Sequence, residues 1–169
     1  MTATNNELTI HRVAEDDVEA YVEMRLEALR NHPVDFSADY EQELNRSLPE
    51  WKKRIARRVI FIAWDGEAPL GMASFLRSGS SKINHHGNIF GVYVRPDYRS
   101  HGLGSKLVNR CIQWSRKNNV KTVYIAAAAT NTAAIRCYTL SGFSAYGLQP
   151  MAIFHDGVYY DELLMTQKL

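Results

Sequence analysis

The feature that most restricts the fold of this chain is a strand–loop–helix–strand unit between residues 87 and 127. A β-rich run from Gly87 to Val94 ends at Pro96, and an amphipathic segment from Gly104 to Lys117 follows. The next run, Thr122 to Ala127, is apolar throughout, as expected for a strand that is buried on both faces. Two strands joined through a helix lie parallel in one sheet. The sequence therefore predicts a mixed sheet with a parallel β-α-β unit near its centre.

The other elements surround this unit. Asp65-Gly66 and His155-Asp156-Gly157 are turn signals between β-rich runs, so each predicts a hairpin. The predicted order is β-α-α-β-β-β-α-β-α-β-β, in one domain over residues 1–169. Strands are expected at 8–13, 59–64, 70–77, 87–94, 122–127, 144–154 and 159–167. The first helix is expected from a stripe of Val18, Tyr21, Val22, Arg25, Leu26 and Leu29.

Composition narrows the classes of function. The net charge is only +2 and the signs are interspersed, which argues against a nucleic-acid or membrane partner. The polar N-terminus, Met1 to Leu8, predicts no signal peptide, and no run of 18 apolar residues predicts a spanning helix. Cys111 and Cys137 fall in predicted helices, where buried free thiols are favoured over a disulfide. The six histidines show no metal spacing. We expect a cytoplasmic protein without metal.

The segment most informative about function is the loop that links the central strand to the following helix. It contains Arg99, Gly102 and Gly104 in the pattern Arg-x-x-Gly-x-Gly. The first N–H groups of a helix have no internal partner, and the helix dipole places partial positive charge there. Glycines let a phosphate approach that backbone closely, so the loop is suited to a pyrophosphate. On its own, such a loop is common and weakly specific.

A second motif lies on the next crossover, where Asn131, Ala134, Tyr138 and Gly142-Phe143 follow one another. Together with the glycine loop, this pattern resembles the GNAT superfamily of acetyl-CoA-dependent N-acetyltransferases. The resemblance covers nearly the whole chain in element order. It implies an α/β fold with a mixed, mostly antiparallel sheet of six to seven strands. About four helices would flank the sheet, and its central parallel strand pair would be splayed.

The resemblance also implies a cosubstrate, acetyl-CoA, whose pantetheine arm would enter the gap between the splayed strands. Backbone groups of Val92 and Val94 would pair with the arm, with Tyr93 between them, and one N–H would donate to the thioester carbonyl. Arg99 and Lys106 could add charge at the diphosphate. The amides implied to hold the diphosphate are those of Arg99, Ser100, His101, Gly102, Leu103, Gly104 and Ser105.

For catalysis, the resemblance implies that Tyr138 is the acid that protonates the departing thiolate, because a phenol is protonated at neutral pH. Asn131 would bond to the pantetheine arm and could also cap its helix. The base is left open, since Ala126 stands where ribosomal-protein acetyltransferases of this superfamily carry glutamate. The alternatives are a water molecule, an acceptor that arrives neutral, His85 or His86. Asp161 and Glu162 could bind a cationic amine, although surface solvation is favoured for both.

We therefore expect acetyl transfer to a primary amine, with a small amine or an amino acid-like molecule favoured as acceptor. A peptide or protein N-terminal acetyltransferase and a non-catalytic acyl-CoA-binding sensor are the alternatives. A dinucleotide-binding fold is disfavoured, because the spacing of Gly102 and Gly104 after Arg99 differs from G-x-G-x-x-G. A homodimer is left open.

Overall fold

This computed structural model describes residues 8–169 of the chain. That part contains seven strands and five α-helices. The N-terminal residues 1–7, on which the prediction about a signal peptide rests, lie outside that part. The strands are β1 (Leu8–Arg12), β2 (Val59–Asp65), β3 (Ala68–Arg77), β4 (His86–Val94), β5 (Thr122–Ala128), β6 (Ser144–His155) and β7 (Val158–Lys168). The helices are α1 (Val18–Asn31), α2 (Tyr40–Leu44), α3 (Leu48–Arg57), α4 (Leu103–Lys117) and α5 (Thr132–Leu140).

All seven strands belong to one mixed sheet, in the order β1-β2-β3-β4-β5-β7-β6. Of the neighbouring pairs, β4 and β5 run parallel and the others run antiparallel. This confirms the predicted fold class, including the central parallel pair. The short helix α2 is an addition to the predicted order; it is capped by Asp39, whose side chain accepts a hydrogen bond from the amide of Gln42.

The central strands part after a short stretch of pairing. Registered pairs join β4 to β5 only from His86 to Asn88, the last being Asn88 with Tyr124. Immediately beyond, β4 carries an extra residue against β3 at Gly91, whose φ of 61° suits glycine. Such a bulge bends the strand locally. The remainder of β4 therefore diverges from β5, and a gap opens at the centre of the sheet.

Each face of the sheet packs against its own set of helices. Helix α4 contributes Leu107 and Val108 to the core on one face. On the other face, α1 and α3 contribute residues such as Met24 and Trp51. Among the helices in residues 8–169, none combines the length and apolarity that crossing a membrane requires. Both cysteines are free thiols, as predicted; Cys111 is buried in the first core, whereas Cys137 is only half-buried.

The expectation that β5 is buried on both faces is wrong. Val123 and Ile125 are buried on the α4 side, whereas Tyr124 is half-buried and Ala126 is exposed. The reason is the divergence of β4: Tyr124 and Ala126 line the cleft that opens there, whereas the α4 side of β5 is covered by the core. The exposed alanine of β5, Ala126, therefore belongs to the wall of a cleft and not to the interior of a core.

Candidate functional site

The gap between β4 and β5 is part of a cleft of about 1370 Å³. Its walls come from both strands, the loop leading into α4, helix α5, the end of α1 with the loop that follows, and the terminal strands β6 and β7. The cleft reaches both faces of the sheet. It is large enough for an extended ligand to lie between the strands and meet a second molecule from the opposite side.

Beyond the bulge, β4 presents backbone groups to the cleft. The amide of Arg95 donates to the carbonyl of Leu70 in β3, at 2.9 Å. Because backbone groups alternate in direction along a strand, those of Val92 and Val94 face the gap. The Val94 carbonyl accepts from Nε of Arg99, at 2.8 Å, so its amide and the groups of Val92 are left for a ligand. These are the residues predicted to pair with pantetheine.

The N-terminus of α4 opens into the same cleft. Gly102 is its N-cap residue, with φ of 74°, and it provides no side-chain cap. The first turn of α4 contains no acidic residue, and the first backbone bond of this turn runs from the Lys106 amide to the Gly102 carbonyl. The preceding amides therefore lack an internal partner and can bind an anion. Members of the predicted loop that line the cleft are Arg99, Ser100, Gly102, Leu103, Gly104 and Ser105.

Two predicted residues lie outside the cleft lining, and a third, Tyr93, lines the cleft but also belongs to a core. His101 and Lys106 are exposed and lie outside the cleft lining. The Tyr93 side chain packs in the second core, and its hydroxyl donates to Oε1 of Glu27 at 2.9 Å. The Arg99 guanidinium lies 2.9 Å from Nε2 of His32 and 5.7 Å from the centre of the Tyr93 ring. It therefore joins the loop to the end of α1.

Tyr138 sits where the cleft meets the first core. Its side chain is only 6% exposed, and its ring meets that of Phe143 edge-on, with centroids 6.4 Å apart. Burial raises the pKa of its phenol above the ordinary value, and the nearby Cys137 and Asp35 add to that shift. The hydroxyl is thus kept protonated at neutral pH, as a proton donor must be. The residue is both a core aromatic and a member of the cleft wall.

Asn131 begins helix α5 at the mouth of the cleft. Its Oδ1 accepts from the Ala134 amide at 3.0 Å, so it is the helix cap considered in the sequence. The cap fixes Oδ1 and leaves the Nδ2 group of this cleft-lining residue as a donor.

Glu162 of β7 also lies in the cleft, which corrects the expectation of surface solvation. It pairs across the sheet with Ala128 of β5, and it is half-buried. Burial raises the pKa of its carboxyl, which brings that group closer to the range of a general base. Its neighbour Asp161 instead accepts from the Met151 amide at 2.8 Å. His86 lies outside the lining, with Nδ1 3.0 Å from Oγ of Ser78.

Several cleft residues were not identified from the sequence, because they come from distant elements without a motif. One signal was present: Arg25 interrupts the apolar stripe of α1, and a charged residue on a buried stripe requires a partner. The members of this group from α1 and the loop after it are Arg25, His32, Asp35, Phe36 and Ser37; Tyr124, Tyr146 and Leu164 come from the sheet.

Comparison with known proteins agrees with this geometry. The family model described as the acetyltransferase (GNAT) family matches residues 22–143, most of the chain. An uncharacterized N-acetyltransferase of Methanocaldococcus jannaschii is 25% identical over 139 residues, which cover 80% of this chain and 60% of that protein. The ribosomal protein bS18-alanine N-acetyltransferase of Escherichia coli is 38% identical over 56 residues, covering 33% of this chain and 38% of the relative. The chain thus spans less than two thirds of either relative.

A solved structure shares the fold. YncA of Salmonella typhimurium, determined with acetyl-CoA as its cofactor, superposes with a TM-score of 0.81 at 22% identity. The match covers 96% of this chain and 94% of YncA. At this level of identity the likeness concerns the arrangement of the strands and helices.

Proposed function

The chain belongs to the GNAT acetyltransferase family, and on that premise we propose that it transfers an acetyl group from acetyl-CoA to the amine of an acceptor. The observation that carries the proposal is the early end of pairing between β4 and β5, at Asn88 and Tyr124. It leaves unused backbone groups beside a helix N-terminus that has no side-chain cap. An extended thioester with a diphosphate needs both features, side by side.

The coenzyme would lie along β4, and the residues present fit it. Amides of the loop from Arg99 to Ser105 would hold the diphosphate, and Val92 with the Val94 amide would pair with the pantetheine arm. Asn131 would donate to the arm through Nδ2. An N–H of β4 would also stabilise the oxyanion that forms at the thioester carbonyl, where losing such a donor typically costs about 10²- to 10³-fold in rate.

When bound, acetyl-CoA would supply an activated carbonyl carbon. The acceptor nitrogen would add to this carbon, and the carbon–sulfur bond would break as the resulting oxyanion collapses. Tyr138 donates its proton to the departing sulfur. Its raised pKa keeps the phenol protonated at neutral pH, so that it can donate a hydrogen bond to the sulfur as negative charge develops there. The phenolate is then reprotonated from solvent.

The proton lost by the acceptor goes to Glu162, directly or through one water molecule. This carboxylate lies in the cleft on the β5 side, where the sequence has Ala126 in place of the glutamate considered above. The raised pKa of Glu162 makes it a better proton acceptor than an exposed carboxylate.

A small amine or an amino acid-like molecule is the acceptor we favour. A peptide N-terminus is the second candidate, supported by the partial match to the E. coli enzyme that acetylates a ribosomal-protein alanine. The test is a survey of amines, amino acids and short peptides for thiol release from acetyl-CoA. Release with one acceptor class supports the proposal, whereas coenzyme binding without release for any acceptor contradicts it.

We also propose a homodimer through the terminal hairpin. Strand β6 is at the edge of the sheet, and the hairpin exposes apolar side chains, among them Leu148, Met151, Phe154 and Tyr159. Sedimentation equilibrium should give twice the chain mass, and Phe154→Lys should shift the protein to monomer. A wild-type monomer at micromolar concentration would exclude this interface.

Replacing Gly102 by valine should weaken coenzyme binding by about tenfold, because a branched side chain strains a left-handed backbone and crowds the phosphates. A Cβ at Gly102 meets no protein atom within 4 Å, so the loss would not come from a clash inside the protein. Titration calorimetry with CoA measures the Kd.

Gly157 provides a matched control, since its φ is 79° and its surroundings are equally open, but it lies in the terminal hairpin. Gly157→Val should leave the Kd for CoA unchanged. Equal affinity in the Gly102→Val variant and the parent would remove the loop from the coenzyme site.

A further inference from the structure

Helix α1 carries a buried arginine that acetyl transfer, as described, does not use. Arg25 is only 6% exposed, and its Nε has no hydrogen-bond partner among residues 8–169. Burial lowers the pKa of its guanidinium, which reflects the cost of removing the charge from water. A buried charge is normally paired, because an unpaired one destabilises the fold. The Nε donor of Arg25 is therefore left for a partner from outside the fold.

The carboxylate of Glu43 is near Arg25 but is occupied by other groups. Its Oε1 accepts from Arg46 at 3.1 Å, and its Oε2 accepts from Arg54. Both oxygens are thus engaged in ion pairs with neighbouring guanidinium groups. The proximity of Arg54 further disfavours the charge on Arg25. Around Glu43, three guanidinium groups therefore share one carboxylate.

The guanidinium of Arg25 lies in the cleft beside the bulge of β4. Its Nη1 is 3.3 Å from the position that a Cβ on Gly91 would take, and its Cζ is 5.4 Å from the centre of the Phe36 ring. All three residues line the cleft. Gly91 directly precedes Val92, which is proposed to hold the pantetheine arm. An anion on Arg25 would therefore be close to the thioester.

We propose that Arg25 binds the carboxylate of an α-amino acid acceptor and so places the amine at the thioester. The inference rests on the proposed function and identifies its substrate class. A guanidinium is planar and matches a carboxylate with two parallel hydrogen bonds. In an α-amino acid a single carbon separates carboxylate from nitrogen, so one contact orients both. Glu162, on the β5 side of the cleft, complements the ammonium end of the same zwitterion.

This assignment separates the two acceptor candidates. A peptide N-terminus carries an amide where a free amino acid carries its carboxylate. With an amide in that place, the charge of Arg25 would stay buried and unpaired. Leaving a buried group of the site without its partner strongly lowers the affinity for a ligand. Arg25 is thus a specificity-determining residue that favours free amino acids.

The test compares L-amino acids with their carboxamides in wild type and in Arg25→Met, by initial rates of thiol release from acetyl-CoA. We expect wild type to prefer the acids, and Arg25→Met to lower kcat/KM for the acids by about 30-fold or more, chiefly through KM. Rates with carboxamides should change little. Arg30→Met, at an exposed position on the same helix, is the matched control and should behave as wild type.

Thermal unfolding provides a readout that a merely structural arginine would not give. Because Arg25→Met removes an unpaired buried charge, its Tm should equal or exceed that of wild type. A large fall in Tm, or an equal loss of kcat/KM for acids and carboxamides, would overturn the inference. So would a wild-type preference for carboxamides.

The two proposals can fail separately. Turnover of amines without preference for a carboxylate would refute the role of Arg25 and leave acetyl transfer intact. If wild type releases no thiol with any amine, the proposal of acetyl transfer is refuted. The anion site is then tested by measuring the Tm of the protein with and without added amino acids. A shift in wild type that is lost in Arg25→Met supports the site; no shift in wild type refutes it.

Discussion

Tyr138→Phe should lower kcat by about a hundredfold or more and leave the Kd for acetyl-CoA nearly unchanged. The substitution removes only the hydroxyl, while the ring keeps its edge-on contact with Phe143 and its place in the core. Without this donor, sulfur must leave as a thiolate, and a positioned acid typically contributes 10²- to 10⁴-fold. Steady-state kinetics gives kcat, and titration calorimetry gives the affinity.

Tyr159→Phe is the matched control, because Tyr159 is exposed on the terminal hairpin outside the cleft lining. It should retain wild-type kcat. A Tyr138→Phe variant with wild-type turnover would show that the residue is only a core aromatic.

Glu162→Gln should lower kcat/KM by about a hundredfold near neutral pH and change its pH dependence. Burial raises the pKa of Glu162, so its basic form is lost as the pH falls through that raised value. In wild type, kcat/KM should therefore rise with pH through this pKa and then level off, apart from any titration of the acceptor amine. The variant should lack that acidic limb.

The control for this variant is Glu67→Gln, which changes an exposed carboxylate in the turn between β2 and β3. It should keep both the rate and the pH profile of wild type. An acidic limb that persists in Glu162→Gln would assign the base to another group or to the acceptor itself.

The sequence carried enough local information for most of the secondary structure and for the loop at the start of α4. The parallel unit follows from runs that are contiguous in the chain, and the glycine loop follows from backbone requirements that only a few residue types meet. The loop that begins α4 and the helix cap Asn131 could therefore be located in the chain by pattern, while a role for them in coenzyme binding came from the resemblance to the GNAT superfamily.

The acceptor side could not be located in that way, because its residues meet only through long-range packing. Glu162 approaches β5 through the order of the terminal strands, in which β7 rather than β6 is the neighbour. Arg25 stood on an apolar stripe, but its unpaired state depends on Glu43 having other partners. The wrong expectation for β5 has the same origin: an alanine strand beside a cleft has the composition of a buried strand.

The most direct test of the account is a crystal structure of the protein with acetyl-CoA. We predict a diphosphate on the amides at the start of α4 and the thioester in the gap between β4 and β5. The Tyr138 hydroxyl should lie within hydrogen-bond reach of the sulfur. A coenzyme bound elsewhere, with the gap empty and the phenol turned into the core, would contradict it.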